Sequence, residues 1–211
     1  MTLIEGNAGW IFECTFVGVM SDIQEIDQRL LLFLNGVNSD TLDIFMMTVT
    51  KILTWLPLYA WLVFALFKHY RKDAWYLLLS AALVIAIADQ VTSSFMKPYF
   101  QRLRPSHDPD VAPYLHLVRD FDGTLYRGGL YGFASGHAAV TFAVAVFSWL
   151  LLRGASQWWA LLFLWATLMT YSRIYLGVHY PSDILVGGVI GALIGALGYR
   201  AIRKIRPTIG S

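Results

Sequence analysis

Residues 133–152 read FASGHAAVTFAVAVFSWLLL. Beyond His137 the stretch carries no charged side chain until Arg153. A helix of about 20 residues, rising ~1.5 Å per residue, matches a hydrocarbon layer ~30 Å thick. The stretch therefore has a polar opening, Ser135-Gly136-His137, and a body suited to lipid. Similar apolar runs lie near Leu42 to Phe67, Ala74 to Phe95, Gln157 to Leu176 and Ser182 to Ala201. Lipid offers the backbone no hydrogen-bond partner, so each run must close its own bonds as a helix, and the alternation of a barrel strand is absent. The expected fold is all-α, a polytopic membrane helix bundle of five spans.

Composition agrees: of 211 residues, 57% are hydrophobic and 14% charged, where an average soluble domain has roughly 25% charged. A net charge of +2 with no clustered basic surface excludes a nucleic-acid partner. Cys14 is the one cysteine, which rules out an intrachain disulfide and a cysteine metal cluster. Asp22 to Val37 places Ile23, Ile26, Leu30, Phe33 and Leu34 at helical spacing, with Asp22, Glu25, Asp27 and Arg29 elsewhere on the wheel. It is too polar to span and is expected to lie in the interface. Trp10 to Met20 is apolar but short and contains Glu13, which makes it a candidate sixth membrane helix. Met1 to Trp10 lacks the pattern of a cleaved signal peptide, so any insertion signal is expected to be retained. The expectation is one domain over 1–211: an N-terminal interfacial segment, 1–41, and a transmembrane core, 42–204. The oligomeric state is left open.

Orientation follows from flanking charges. Lys68, Arg71 and Lys72, then Arg153, then Arg200, Arg203, Lys204 and Arg206 alternate with the spans and gather on one face. The positive-inside rule makes that face cytoplasmic. The long loop from Met96 to Tyr131 and the turn at His179 then share the outer face.

Three polar clusters meet on that outer face: 97–105, 135–137 and 172–183. Singly, each has a bland explanation. Boundary cations anchor by snorkelling, Ser135 is a helix cap, and an interfacial histidine is common. Together they suit phosphate. Arginine presents a planar fork and lysine a compact charge, while Gly136 lets backbone N–H groups approach an anion at a helix N-terminus. Pro181 suits the first position of a helix, which puts Asp183 in its first turn and lets it reach back to His179. A carboxylate on one imidazole nitrogen leaves the other free and more nucleophilic.

Lys97-x6-Arg104-Pro105, Ser135-Gly136-His137 and Ser172-Arg173-x5-His179-x3-Asp183 resemble the three-part signature of the type 2 phosphatidic acid phosphatase (PAP2) superfamily, which also contains vanadium haloperoxidases. One position departs: Ala134 stands where the family usually has proline, which removes no reacting group. The resemblance implies His179 as nucleophile through a phosphohistidine, Asp183 as its orienting partner and His137 as the acid for the leaving oxygen. It implies that Lys97, Arg104, Ser135, Gly136 and Arg173 bind the phosphate, with no metal and no cofactor. Phosphoryl transfer is mainly positioning and charge stabilisation, which agrees.

The expected activity is hydrolysis of a lipid phosphate or diphosphate at the outer leaflet of a bacterial inner membrane. Undecaprenyl diphosphate is the leading substrate; lipid A, phosphatidylglycerophosphate and phosphatidate are alternatives. A transporter or scaffold that binds an anion is the non-enzymatic alternative.

Asp120-Phe121-Asp122-Gly123-Thr124 matches the nucleophile loop of haloacid dehalogenase phosphatases, but no strand or α/β domain surrounds it, so it is expected to be inert. Lys51 and Asp89 are expected to pair within the membrane. Gly187, Gly191 and Gly195 are expected to let another helix of the same monomer approach closely. His107 and His116 are expected to be solvated in the long loop.

Overall fold

The computed structural model describes residues 22–207 and Ile209. The readings made on Cys14 and on Trp10 to Met20 lie outside that range. Among the described residues the regular elements are all helices, with isolated bridges at Leu103–Tyr131 and Arg119–Leu125 in the loops between them. Helix α1 is described over 22–35. It is followed by α2 (Asp40–Thr50), α3 (Leu56–Tyr70) and α4 (Ala74–Gln90). A π-helical turn (Val91–Met96) then leads into the short α5 (Lys97–Phe100). The long loop follows, and then α6 (Gly136–Leu152), α7 (Leu161–Tyr175) and α8 (Pro181–Ile205).

By length and composition, two helical runs could each cross a membrane, Ile52–Phe100 and Pro181–Ile205, and Gly136–Leu152 is a shorter apolar helix. The first run is 49 residues long because α3 and α4 follow each other with little interruption. Arg71, at φ 51°, breaks it, and α3 and α4 pack against each other.

One expected span divides. Leu42 to Phe67 is two helices, because Lys51 takes an extended conformation (φ −80°, ψ 131°) and Pro57 stands in the first turn of α3. The cause is tertiary. Asp43 near the start of α2 meets His116, while Lys51 just beyond its end meets Asp120, so both ends of α2 are tied to the same outer loop. This 11-residue helix is therefore held at both ends against the loop. It buries Met46 and Met47 against Val118, Tyr175, Leu176 and Val178.

Helix α8 lies on α6 at backbone distance. A Cβ on Gly187 or Gly191 would overlap the carbonyls of Ser135 or Ala139, and one on Gly195 would stand 2.6 Å from that of Ala143. This is packing within one chain, as the four-residue glycine spacing suggests. A second apolar core joins α3, α4, α6 and α7 through Leu62, Leu66, Leu77, Val84, Phe147, Leu162 and Met169.

Candidate active site

The polar ends of α4, α6, α7 and α8 converge. Pro181 is the first residue of α8, and Asp183, fully buried, turns back in the first turn as its position implies. Its Oδ2 accepts from the Tyr180 backbone N–H (3.1 Å) and lies 3.2 Å from His179 Nδ1. That leaves Nε2 as the nitrogen able to meet a substrate. His179 is itself 1% exposed. Burial, and then the cations Arg104, Arg173 and Lys97, push its pKa well below the ordinary imidazole value, so the ring is neutral at neutral pH.

Ser135 joins two clusters. Its N–H donates to the Asp183 carbonyl (2.9 Å) while its Oγ caps α6 by accepting from Ala138 N–H (3.4 Å). Gly136 follows, with Thr92, Ser93 and the Lys97 ammonium beside its open face; a Cβ there would lie 3.7 Å from Lys97 Nζ. Lys97 Nζ donates to Ser93 Oγ (3.4 Å), and that hydroxyl donates to Asp89 (3.0 Å). His137, half-buried, stands within electrostatic reach of Arg173, His179, Arg104 and Lys97.

Arg104 is anchored by Tyr131 O (3.2 Å) and Val178 O (3.4 Å). Burial and the neighbouring Arg173 draw its pKa down to about 10, still charged at neutral pH. Arg173 is 2% exposed; it donates to Thr50 Oγ1 (2.5 Å) and to the Tyr126 hydroxyl (3.0 Å). Its Nε is buried with no partner. A buried guanidinium N–H left open beside two more cations is what an anion would satisfy. All eight candidate residues of the three clusters thus lie in one region.

Sequence reasoning overlooked several contributors. Arg102 Nη1 donates to Asp183 Oδ1 (2.9 Å) and Ser182 Oγ (2.7 Å), and its Nη2 to Asp27 Oδ2 (2.6 Å). The hints were Arg102's place inside the 97–105 cluster and Asp27 on the polar side of an amphipathic segment. Nothing in the sequence pointed to Thr50 or Tyr126.

Two expectations change, those for Lys51 and His116. Lys51 pairs with Asp120 at 2.6 Å rather than with Asp89, because the break after α2 turns its side chain toward the loop. The Asp120–Thr124 motif is an exposed turn closed by Asp120 N–H to Thr124 O (2.8 Å), with no strand preceding it. Its Asp120 holds Lys51. His116 is not free in solvent: its Nε2 meets Asp43 at 2.9 Å and its ring packs edge-on to Tyr175.

Comparison with known proteins adds what geometry alone cannot. The family model described as the PAP2 superfamily matches residues 73–207. A lipid A 4'-phosphatase of Bacteroides thetaiotaomicron is 39% identical over 191 residues, 90% of this chain and 82% of that one. An undecaprenyl-diphosphatase of Sulfolobus acidocaldarius is 30% identical over 82% of this chain and 72% of that one. In fold, the chain is similar to the crystal structure of a transmembrane PAP2-type phosphatidylglycerolphosphate phosphatase from Bacillus subtilis. The TM-score is 0.67 at 22% identity, covering 94% of this chain and 96% of that one. A hydrolase of phosphoesters, and not an anion-binding scaffold, is what such relatives describe. The polar convergence at the helix ends and the match over 73–207 agree, and the chain belongs to the PAP2 superfamily.

Proposed function

We propose that the protein removes a phosphate from the head of a membrane lipid, with His179 as nucleophile and lipid A as the favoured substrate. The observation that carries the chemistry is the His179–Asp183 pair, 3.2 Å apart, facing a buried Arg173 whose Nε has no partner. His179 Nε2 attacks phosphorus, an N–P bond forms as the P–O bond to the lipid breaks, and His137 protonates the departing oxygen. Water then attacks the phosphohistidine, giving its proton to His137, and inorganic phosphate leaves. Asp183 keeps the proton on Nδ1 throughout. Lys97, Arg104 and Arg173, with the Ser135 hydroxyl and the Gly136 N–H, hold the phosphoryl oxygens as charge builds on them.

In this reading α3, α4, α6, α7 and α8 cross the bilayer, α1 and α2 lie along its outer boundary, and the cationic loops 68–72, 153 and 200–206 face the cytoplasm. The reacting headgroup sits at the outer face while its chains stay in lipid. The substrate preference moves from undecaprenyl diphosphate to lipid A because the lipid A 4'-phosphatase shares more identity, over more of the chain, than the undecaprenyl-diphosphatase.

The test is phosphate release by purified protein from lipid A, undecaprenyl diphosphate, phosphatidylglycerophosphate and phosphatidate at equal surface density. Lipid A should be preferred more than tenfold, about 1.4 kcal/mol in transition-state stabilisation. An equal margin for undecaprenyl diphosphate would reverse the substrate assignment. His179→Ala should fold, insert and release nothing; turnover in that variant would remove the mechanism.

A further inference from the structure

We propose that Arg102 and Asp27 are positioning residues that hold Asp183 on His179, so that α1 is a working part of the catalytic apparatus. The inference rests on His179 being the nucleophile. Arg102 lies inside the 97–105 cluster but is none of its phosphate-binding candidates, and Asp27 lies outside all three clusters.

Asp183 has two oxygens and no exposure. Oδ2 is committed to His179 Nδ1 and the Tyr180 N–H; Oδ1 accepts from Arg102 Nη1 at 2.9 Å. The Arg102 guanidinium lies 4.0 Å above the Tyr180 ring, which fixes its plane. Its other arm reaches Asp27 Oδ2 at 2.6 Å across 75 residues of sequence. Asp27 is 6% exposed and closes the circuit, because its Oδ1 accepts the Ser182 N–H (2.9 Å) and its Oδ2 the Ser182 hydroxyl. Asp27 therefore grips Arg102 and the first turn of α8 together.

The physical consequence is directional. Asp183 orients the imidazole only if its carboxylate plane is itself held, and the one contact on Oδ1 does that. Without Arg102 a buried carboxylate has one oxygen unpaired and is free to rotate, a costly state for an ion removed from water. Without Asp27, Arg102 keeps its charge but loses the support that aims it. The outward side of α1 exposes Ile23, Ile26 and Phe33, so the helix that carries Asp27 also meets the membrane boundary. Neither residue contacts the reacting phosphorus, so both act on turnover and not on substrate binding.

The experiment measures kcat and KM for Arg102→Ala, Arg102→Lys, Asp27→Ala, Asp27→Asn, the double alanine variant and His179→Ala. The substrate is whichever of the four lipids the wild type hydrolyses fastest, and thermal unfolding is followed in parallel. Arg102→Ala should lose about 100-fold in kcat, the scale of a misplaced catalytic group, with KM within twofold. Asp27→Ala should lose about tenfold, and the double variant no more than Arg102→Ala alone, since both act through one contact. Arg102→Lys, which can reach one carboxylate but not both, should recover part of the loss. Should Arg102→Ala fail to fold, Arg102→Lys and Asp27→Asn carry the test. Wild-type kcat in both conservative variants, or a loss confined to KM, overturns the proposal. Turnover in His179→Ala overturns the underlying mechanism instead.

Discussion

Two helix seams in this molecule are built on opposite plans. Between α6 and α8, glycines at 187, 191 and 195 bring backbone onto backbone. Between α3 and α7, with the turns that precede them, the contact is made by large rings: Trp55, just before α3, and Tyr59 lie edge-on to Trp165, and Trp61 stacks on Trp159, just before α7. Beside these rings opens a groove of about 590 Å³. The first seam has no slack and the second has room. The candidate catalytic residues follow that difference. Ser135 caps α6 and His137 stands in its first turn, while His179 just precedes α8 and Asp183 stands in its first turn, so the tight seam sets the distance between His137 and the His179–Asp183 pair, and no candidate residue sits on the loose one.

The largest effects belong to the tight seam. Gly191→Ala puts a methyl group into the Ala139 carbonyl and should cost about 3 kcal/mol or more, while Gly191→Leu should not fold. Thermal unfolding in detergent reads this, and a Gly191→Ala midpoint equal to wild type would mean the seam yields. Next, Gly132→Ala places a Cβ 2.9 Å from Asp183 Oδ2 and 3.6 Å from His179 Nδ1. It should reduce kcat about 100-fold with a smaller stability loss than Gly191→Ala, and unchanged kcat would show that the pocket can shift aside.

Smaller effects belong to the loose side. Trp165→Phe deletes an N–H that is buried without a partner, so no hydrogen bond is lost. Stability should change by less than about 1.5 kcal/mol, with kcat intact; a collapse would show that the aromatic seam is as tight as the glycine one. Smallest is Lys51→Met, which breaks a partly exposed pair with Asp120 worth at most about 1 kcal/mol. Lys51 lowers the pKa of Asp120 by hydrogen bonding to its carboxylate. A lowered folded-state pKa means stability that is present above the ordinary carboxylate pKa of about 3.9 and lost as pH falls through the lower folded value. The gap between wild type and Lys51→Met should therefore be full at pH 7 and close as pH falls well below 3.9, which melts in buffers across that range would test.

The tight seam was legible because it leaves a periodic mark, a glycine every fourth residue. The site was legible for a similar reason: its clusters stand at ends of apolar runs, where polar residues are conspicuous. The Lys51 partner was not, because hydropathy reads Leu42 to Phe67 as one continuous helix, and the chain breaks at Lys51. The link from Arg102 to Asp27 and Asp183 escaped because Asp27 looks like an ordinary surface charge until α1 folds onto the start of α8.

The order of residues by itself determined that helices form, that polar clusters stand at their ends and that these clusters carry the residue types of the PAP2 signature. These follow from local apolar length, helix-end chemistry and motif spacing. Only the tertiary structure decided that Leu42 to Phe67 breaks at Lys51, that Tyr126 and Thr50 hold Arg173, and that Asp183 is shared between His179 and Arg102. Each of those depends on which distant groups a buried charge finds once lipid and protein have replaced water around it, and sequence distance carries no record of that.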